Sequence, residues 1–236
     1  MNEKILWKIQ ELIERHGKGT TRPLSTAIPS WKCATDFFES TTFFSPASSD
    51  RPVMHDGDGD YYGLAKDIVI IADKPVYIFD NHHKAMFAFL EAKHNWGSVL
   101  PVVHIDAHQD DAEPGFSPKN ITLQNIRETY EKSRICDFVS VSQSGDLIGD
   151  VQRIVTSAQF DDYMLPEEPF ILSLDIDIFG PEGGYIELET KIKAIADAWS
   201  QASVVTIATS PGFIDQEFGW KIIAALLAPP GNHRVL

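Results

Sequence analysis

Two short strings constrain this chain more than anything else in it, because each is an apolar run that ends in metal-ligand side chains. The first is Val102-Val-His-Ile-Asp-Ala-His-Gln-Asp-Asp-Ala112. Leu100 to Val103 reads as a buried strand, and it runs into Asp106, His108 and Asp110. On an extended chain alternate residues project to one face, so these three side chains are expected side by side. Two carboxylates and an imidazole so placed hold a divalent cation, and a bridging carboxylate holds two. The second string, Phe170-Ile-Leu-Ser-Leu-Asp-Ile-Asp-Ile-Phe179, repeats the device with Asp175 and Asp177. A fold that suits both must bring the two strand ends together.

Composition narrows the class. A chain of 236 residues, 43 % hydrophobic and 11 % aromatic, has the makings of a single globular domain with a full core. Its longest apolar runs are about five residues, as in Ile68 to Ala72, against the roughly 18 that a membrane span needs. The N-terminus lacks the basic region and long apolar stretch of a secretory signal. The two cysteines, Cys33 and Cys136, form neither a CxxC nor a ladder. A cytoplasmic location with free thiols is therefore expected, with no membrane partner. The net charge of −14 argues against nucleic acid, whose backbone needs a basic footprint, and suits a cation site and a cationic substrate.

Along the chain, Ile5, Leu6, Ile9, Leu12 and Ile13 mark an amphipathic N-terminal helix within residues 1–19. Residues 20–66 read as a long irregular region ordered by aromatic side chains such as Trp31, Phe37 and Phe43. Within it His55-Asp-Gly-Asp-Gly-Asp-Tyr-Tyr62 resembles a calcium loop but has Tyr61 where Gly is needed and Asp67 where the bidentate Glu belongs, so a turn is expected. Residues 67–236 read as an α/β core. It begins with a hairpin around Asp73-Lys74-Pro75, then a helix from Ala85 to about His94 and the first liganding strand. A helix over about 120–133, a strand Phe138 to Val141 and a helix over 145–157 come next. After the second liganding strand come a Gly-rich loop, Gly180-Pro-Glu-Gly-Gly184, a helix over about 187–201, a strand 203–208 and a final helix from about Asp215. The alternation implies a three-layer α/β/α domain with a mostly parallel sheet. In such sheets ligands bind beyond the carboxyl ends of the strands. His82, Asp106 to Asp110, Asp175 to Asp177 and Thr209 to Pro211 all fall there.

These residues, in this order, resemble the ureohydrolase (arginase/agmatinase) superfamily. Asp106-Ala-His-Gln-Asp110 and Ser173-Leu-Asp-Ile-Asp177 match two of its metal-binding elements, and Asn81-His82-His83-Lys84-Ala85 matches a third more loosely. The likeness is greatest to the peptide arginases of ribosomal-peptide maturation. The resemblance implies an arginase-like fold and a site for two Mn²⁺ per subunit held by His82, Asp106, His108, Asp110, Asp175 and Asp177. The implied reaction is hydrolysis of arginine side chains in a precursor peptide to ornithine and urea, with Asp110 and His108 catalytic. Members of the family often assemble, which leaves a homo-oligomer open.

The chain also departs from the family. Ala208 stands where free-arginine arginases have a guanidinium-binding Glu, and a proton-transfer His has no counterpart. An open site for peptidyl arginine fits these losses, with Asp215 and Glu217 as candidate substrate-binding acids. A small-molecule ureohydrolase of agmatinase or formimidoylglutamase type is one alternative, and a non-catalytic arginine-peptide-binding protein another. His104 shares the strand face of Asp106 and reads as a residue that supports the ligands or as a hydrogen-bonded core His. His83 and His94 read as surface residues, Cys136 as a small buried hydrophobe, and Asp111 as either a support to its neighbours or a solvated charge.

Overall fold

The computed structural model describes residues 32–33, 54–56, 59–64, 67–71 and 73–227. The expected N-terminal helix, and most of the irregular region after it, lie outside the described residues. In chain order the strands are β1 (Lys32–Cys33), β2 (Met54–Asp56), β3 (Gly59–Tyr61), β4 (Ile68–Ile71), β5 (Pro75–Phe79), β6 (Val102–Ile105), β7 (Val151–Ile154), β8 (Ile171–Asp175) and β9 (Val204–Ala208). The helices are α1 (Ala85–Trp96), α2 (Ile126–Lys132), α3 (Phe138–Ser144), α4 (Ser157–Asp161), α5 (Leu188–Gln201) and α6 (Gln216–Leu227). Strands β2 and β3 pair with each other as a separate antiparallel ribbon.

The other strands form one mixed sheet in the order β1-β4-β5-β9-β8-β6-β7, with the two-residue β1 at its edge. Only β4 and β5 run antiparallel, joined by the expected hairpin. From β5 through β9, β8 and β6 to β7 every pairing is parallel. The interior strands β6, β8 and β9 are buried along their whole length, which is why they read as unbroken apolar runs.

Side chains alternate cleanly between the two faces. Ile78, Val103, Ile105, Leu172, Leu174, Val205 and Ile207 pack with Ile192 and Ile195 of α5 and Ile222 and Ile223 of α6. Phe79, Val102, Ile171 and Val204 pack with Met86 and Phe89 of α1, Ile126 of α2 and Phe138 of α3. Helices thus cover both faces, giving the three layers. On the α1 face a row of polar residues, His104, Ser173 and Thr206, lies in register across β6, β8 and β9 with no exposed surface. Among the described residues no helix is long and apolar enough to cross a membrane.

Two expected elements are exchanged. Phe138 to Val141 belongs to helix α3, whose buried residues Phe138, Val139, Val141 and Ser142 have helical spacing. So short a stretch, with three apolar residues in four, does not by itself separate strand from buried helix. The expected helix over 145–157 is instead edge strand β7 followed by the one-turn-and-more helix α4. Thr156 caps α4 with a reciprocal capping box to Gln159, so the helical signal in this stretch belongs to its far end. The helix expected from 120 begins at Ile126, after a turn in which Asn125 Oδ1 accepts from Thr122 N.

Candidate metal centre

The four adjacent parallel strands β5, β9, β8 and β6 end on the same edge of the sheet, and each delivers part of the site. After β5 a 3-10 turn, His82–Lys84, presents His82. Asp106 follows the last residue of β6, Asp175 closes β8, and Thr209 and Ser210 follow β9. Asp177 lies in a second 3-10 turn, Ile176–Phe179, and not on an extended strand as its spacing from Asp175 suggested.

The expected one-faced ladder of Asp106, His108 and Asp110 is also replaced by something more useful. The backbone bends directly after β6, and Asp110 sits at φ 50, a left-handed conformation that Asp tolerates better than most residues. Two donor groups result, with Asp106 in both. His82, His104, Asp106 and Asp110 form one, and Asp106, His108 and Asp177 form the other. Each oxygen of Asp106 faces a different group: Oδ2 lies 2.7 Å from His82 Nδ1, and Oδ1 lies 3.3 Å from His108 Nδ1. His82 Nδ1 is also 3.4 Å from both Asp110 and Asp175. His108 Nδ1 is 3.0 Å from Asp177 Oδ2. All six expected ligands are therefore brought together.

Polar neighbours hold these side chains in place. Ser210 Oγ donates to Asp175 Oδ2 at 2.5 Å, Asp177 N donates to Asp175 Oδ1, and Ala107 N donates to Asp177 Oδ1. His82 Nε2 meets Ser173 Oγ at 2.8 Å. His104 is fully buried, stacks on His82 with ring centroids 5.0 Å apart, and points Nε2 at His108 O, 3.3 Å away. With Nε2 donating to that carbonyl, His104 braces the Asp106–His108 bend, and His82, Asp106 and Asp110 remain as the donors of the first group. Just below the site, buried Asp80 accepts from Leu64 N and from Thr209 Oγ1. Gly63 makes room for it, since a Cβ there would lie 2.3 Å from Asp80 Oδ1.

The charge balance of this cluster favours a cation. Burial, reinforced by Asp106, pushes Asp110 up to about 7 and Asp177 up to about 6. Burial and the nearby Asp177 also raise Asp175 well above the ordinary carboxylate range. For Asp106 burial acts the same way, but hydrogen bonds from His108 and His82 outweigh it and hold it low. His108 is pushed up to about 12 against its own burial by Asp106 and Asp177. Four carboxylates face at most two imidazolium charges, and such a set of hard oxygen and imidazole donors could hold a metal ion.

Above the donors opens a pocket of about 270 Å³. Among the described residues its ionisable lining consists of Asp110, Asp111, Asp175 and Asp177 with His82, His108 and Cys136, with no lysine or arginine. Asp111 is paired with Arg153 at 3.2 Å. Cys136 is exposed on the pocket wall, a correction to its reading as a buried hydrophobe, because the segment before α3 is a surface turn and not a strand. His83 is likewise not a surface residue: it is buried and stacks on Tyr130 at 4.5 Å, while His94 is exposed as expected.

The structure does not bring Asp215 or Glu217 into the pocket lining. Asp215 precedes α6 and its Oδ1 accepts from Phe218 N at 2.8 Å, a helix cap. Glu217 is exposed and pairs with Lys221 one turn on. Asp215→Ala is therefore expected to cost about 0.5–2 kcal/mol of stability in a denaturation curve. Ala208 is fully buried in the core, so it offers no acid to a substrate. A residue missed by sequence reasoning, Glu182 of the Gly-rich loop, lies 2.5 Å from His108 Nε2. Its one signal was position, a loop directly after the Asp175/Asp177 strand. Comparison with protein-family models, with curated proteins and with solved structures gives no match.

Proposed function

We propose that this chain is a binuclear manganese hydrolase of arginase-like fold that converts peptidyl arginine to ornithine and urea. The observation that carries the reading is the sharing of Asp106 between two donor groups at the floor of a pocket whose described lining is acidic, with no lysine or arginine among the described residues. A guanidinium is a resonance-stabilised cation and a poor electrophile. An acidic pocket attracts it, and hydrolysing it requires an activated water. When bound, a pair of Mn²⁺ ions supplies the Lewis acidity that makes water a nucleophile near neutral pH.

The chain's own residues do the rest. Water adds to the guanidinium carbon, the bond from that carbon to the side-chain nitrogen of arginine breaks, and the departing amine takes a proton. Asp110, at the inner wall beside His82, is the carboxylate that accepts the water's proton and hands it to the amine. His108, whose side chain is about a third exposed, borders the path by which the substrate enters. The pocket volume falls just under the roughly 300–1,000 Å³ typical of sites that enclose a whole small ligand. A side chain presented by a peptide fits that size, and the loss of the guanidinium-binding Glu at Ala208 favours a substrate held partly from outside.

Mass spectrometry of an arginine-containing peptide incubated with the Mn²⁺-loaded protein tests the proposal, with urea assayed and free arginine run in parallel. The expected result is the arginine-to-ornithine mass shift in the peptide with matching urea. Turnover of free arginine alone would replace this reading with a small-molecule ureohydrolase. Two bound ions with no turnover of either substrate would replace it with an arginine-binding protein.

A further inference from the structure

We propose that Glu182 is a positioning residue that sets the tautomer of His108 and so tunes one of the two cation sites. The inference rests on the two-cation reading above and not on the choice of substrate. His108 Nδ1 faces Asp177 Oδ2 at 3.0 Å and Asp106 Oδ1 at 3.3 Å, the other members of its donor group. A neutral imidazole carries one proton, so Nδ1 offers a lone pair to a cation only if the proton sits on Nε2. Nε2 is where Glu182 is found, with Oε2 2.5 Å away. A carboxylate accepting that N–H fixes the tautomer, aims the ring and strengthens the other nitrogen as a ligand.

The loop that carries Glu182 is shaped for this contact. It folds back over the 3-10 turn that holds Asp177, with Gly180 N donating to Asp177 O at 2.6 Å. Two glycines permit the close approach. A Cβ on Gly183 would lie 2.0 Å from Ile178 O, and one on Gly180 would lie 2.8 Å from Phe213 O. Lys191 of α5 reaches under the loop and donates to Ile178 O at 2.8 Å. On the far side of the ring, Phe213 meets His108 edge-on with centroids 5.0 Å apart. Glu182 itself remains half exposed, so its substitution does not open a cavity.

The test is Mn²⁺ titration of the full chain by calorimetry and electron paramagnetic resonance, for wild type, Glu182→Gln and Glu182→Ala. The expected result is that Glu182→Ala weakens one of the two Mn²⁺ sites by about 10–100-fold and leaves the other at wild-type affinity. The signal of the coupled ion pair should then be lost at concentrations where wild type shows it. Glu182→Gln, which still accepts the hydrogen bond but carries no charge, should fall between the two. Wild-type affinity at both sites in Glu182→Ala would overturn the inference and leave the two-cation reading standing. Parallel loss at both sites, with a lower thermal midpoint of the metal-free protein, would overturn it in favour of a structural role. Failure of wild type to bind Mn²⁺ would overturn both readings.

Discussion

Asp106→Asn is expected to abolish both cation sites in one step, whereas Asp177→Asn and Asp110→Asn each abolish one. The asymmetry follows from the two oxygens of Asp106, which face His82 and His108 respectively, while Asp110 and Asp177 each belong to a single donor group. Metal analysis after gel filtration reads the result directly, as Mn²⁺ per chain falling from two to none in the first variant and to one in the others. Urea release should fall by about a thousandfold or more in all three. A pair of cations contributes several kcal/mol of transition-state stabilisation, and each 1.36 kcal/mol is tenfold in rate. A thermal readout is independent of substrate. Each ion held at about a hundred times its dissociation constant stabilises by about 2.7 kcal/mol, so two give about 5.4 kcal/mol, or roughly 10–20 °C for a chain of this size. Wild type should show that shift on adding Mn²⁺, and Asp106→Asn should show none. One ion retained by Asp106→Asn would mean that the two groups do not share this carboxylate.

The candidate donors were legible in the sequence because four strands of one sheet signal their ends in the same way, with apolar runs that stop at polar residues. Periodicity fixed the α/β class, the hairpin, and the helices over 85–96 and 188–201 for the same reason. What sequence spacing did not contain was backbone bending. The turn after β6, with Asp110 at φ 50, splits three residues expected on one face between two donor groups. Phe138 to Val141 was misread because a short apolar run is equally compatible with strand and buried helix, and only the packing on β5 and α1 decides. Glu182 was beyond reach for another reason. A lone acid in a Gly-rich loop reads as solvated charge until the contact of Gly183 with Ile178 O shows where the loop must go. Asp215 and Glu217 were proximal in sequence to Ser210 and Pro211, but α6 begins there and turns their side chains to capping and to Lys221.

Lys84→Met is expected to be the most destabilising single change near the site that removes no ligand. Lys84 and Asp67 are both buried, with side chains about 4 % exposed, and lie 2.9 Å apart. Lys84 closes the 3-10 turn that presents His82, and its backbone N donates to Asn81 O at 3.0 Å. Asp67 immediately precedes β4, so the pair ties the edge of the sheet to the turn that carries a ligand. Removing one partner of a buried pair strands the other charge and costs about 3–5 kcal/mol. At roughly 2–4 °C per kcal/mol that is a loss of about 6–20 °C in thermal midpoint. The double variant Lys84→Met, Asp67→Leu should recover most of it, because a buried pair replaced by apolar side chains is often neutral. The pH dependence has a definite sign. Burial already raises Asp67 above its ordinary 3.8, with Lys84 pulling the other way. Without Lys84 the folded chain keeps a proton on Asp67 at pH values where the unfolded chain has released it. The folded state then binds more protons than the unfolded state, so stability falls as pH rises from about 4 toward neutrality, more steeply than in wild type. Equal midpoints for wild type and Lys84→Met across that range would show that the pair does not hold the turn, and the placing of His82 would then rest on its contacts with Asp106, Ser173 and the stacked His104.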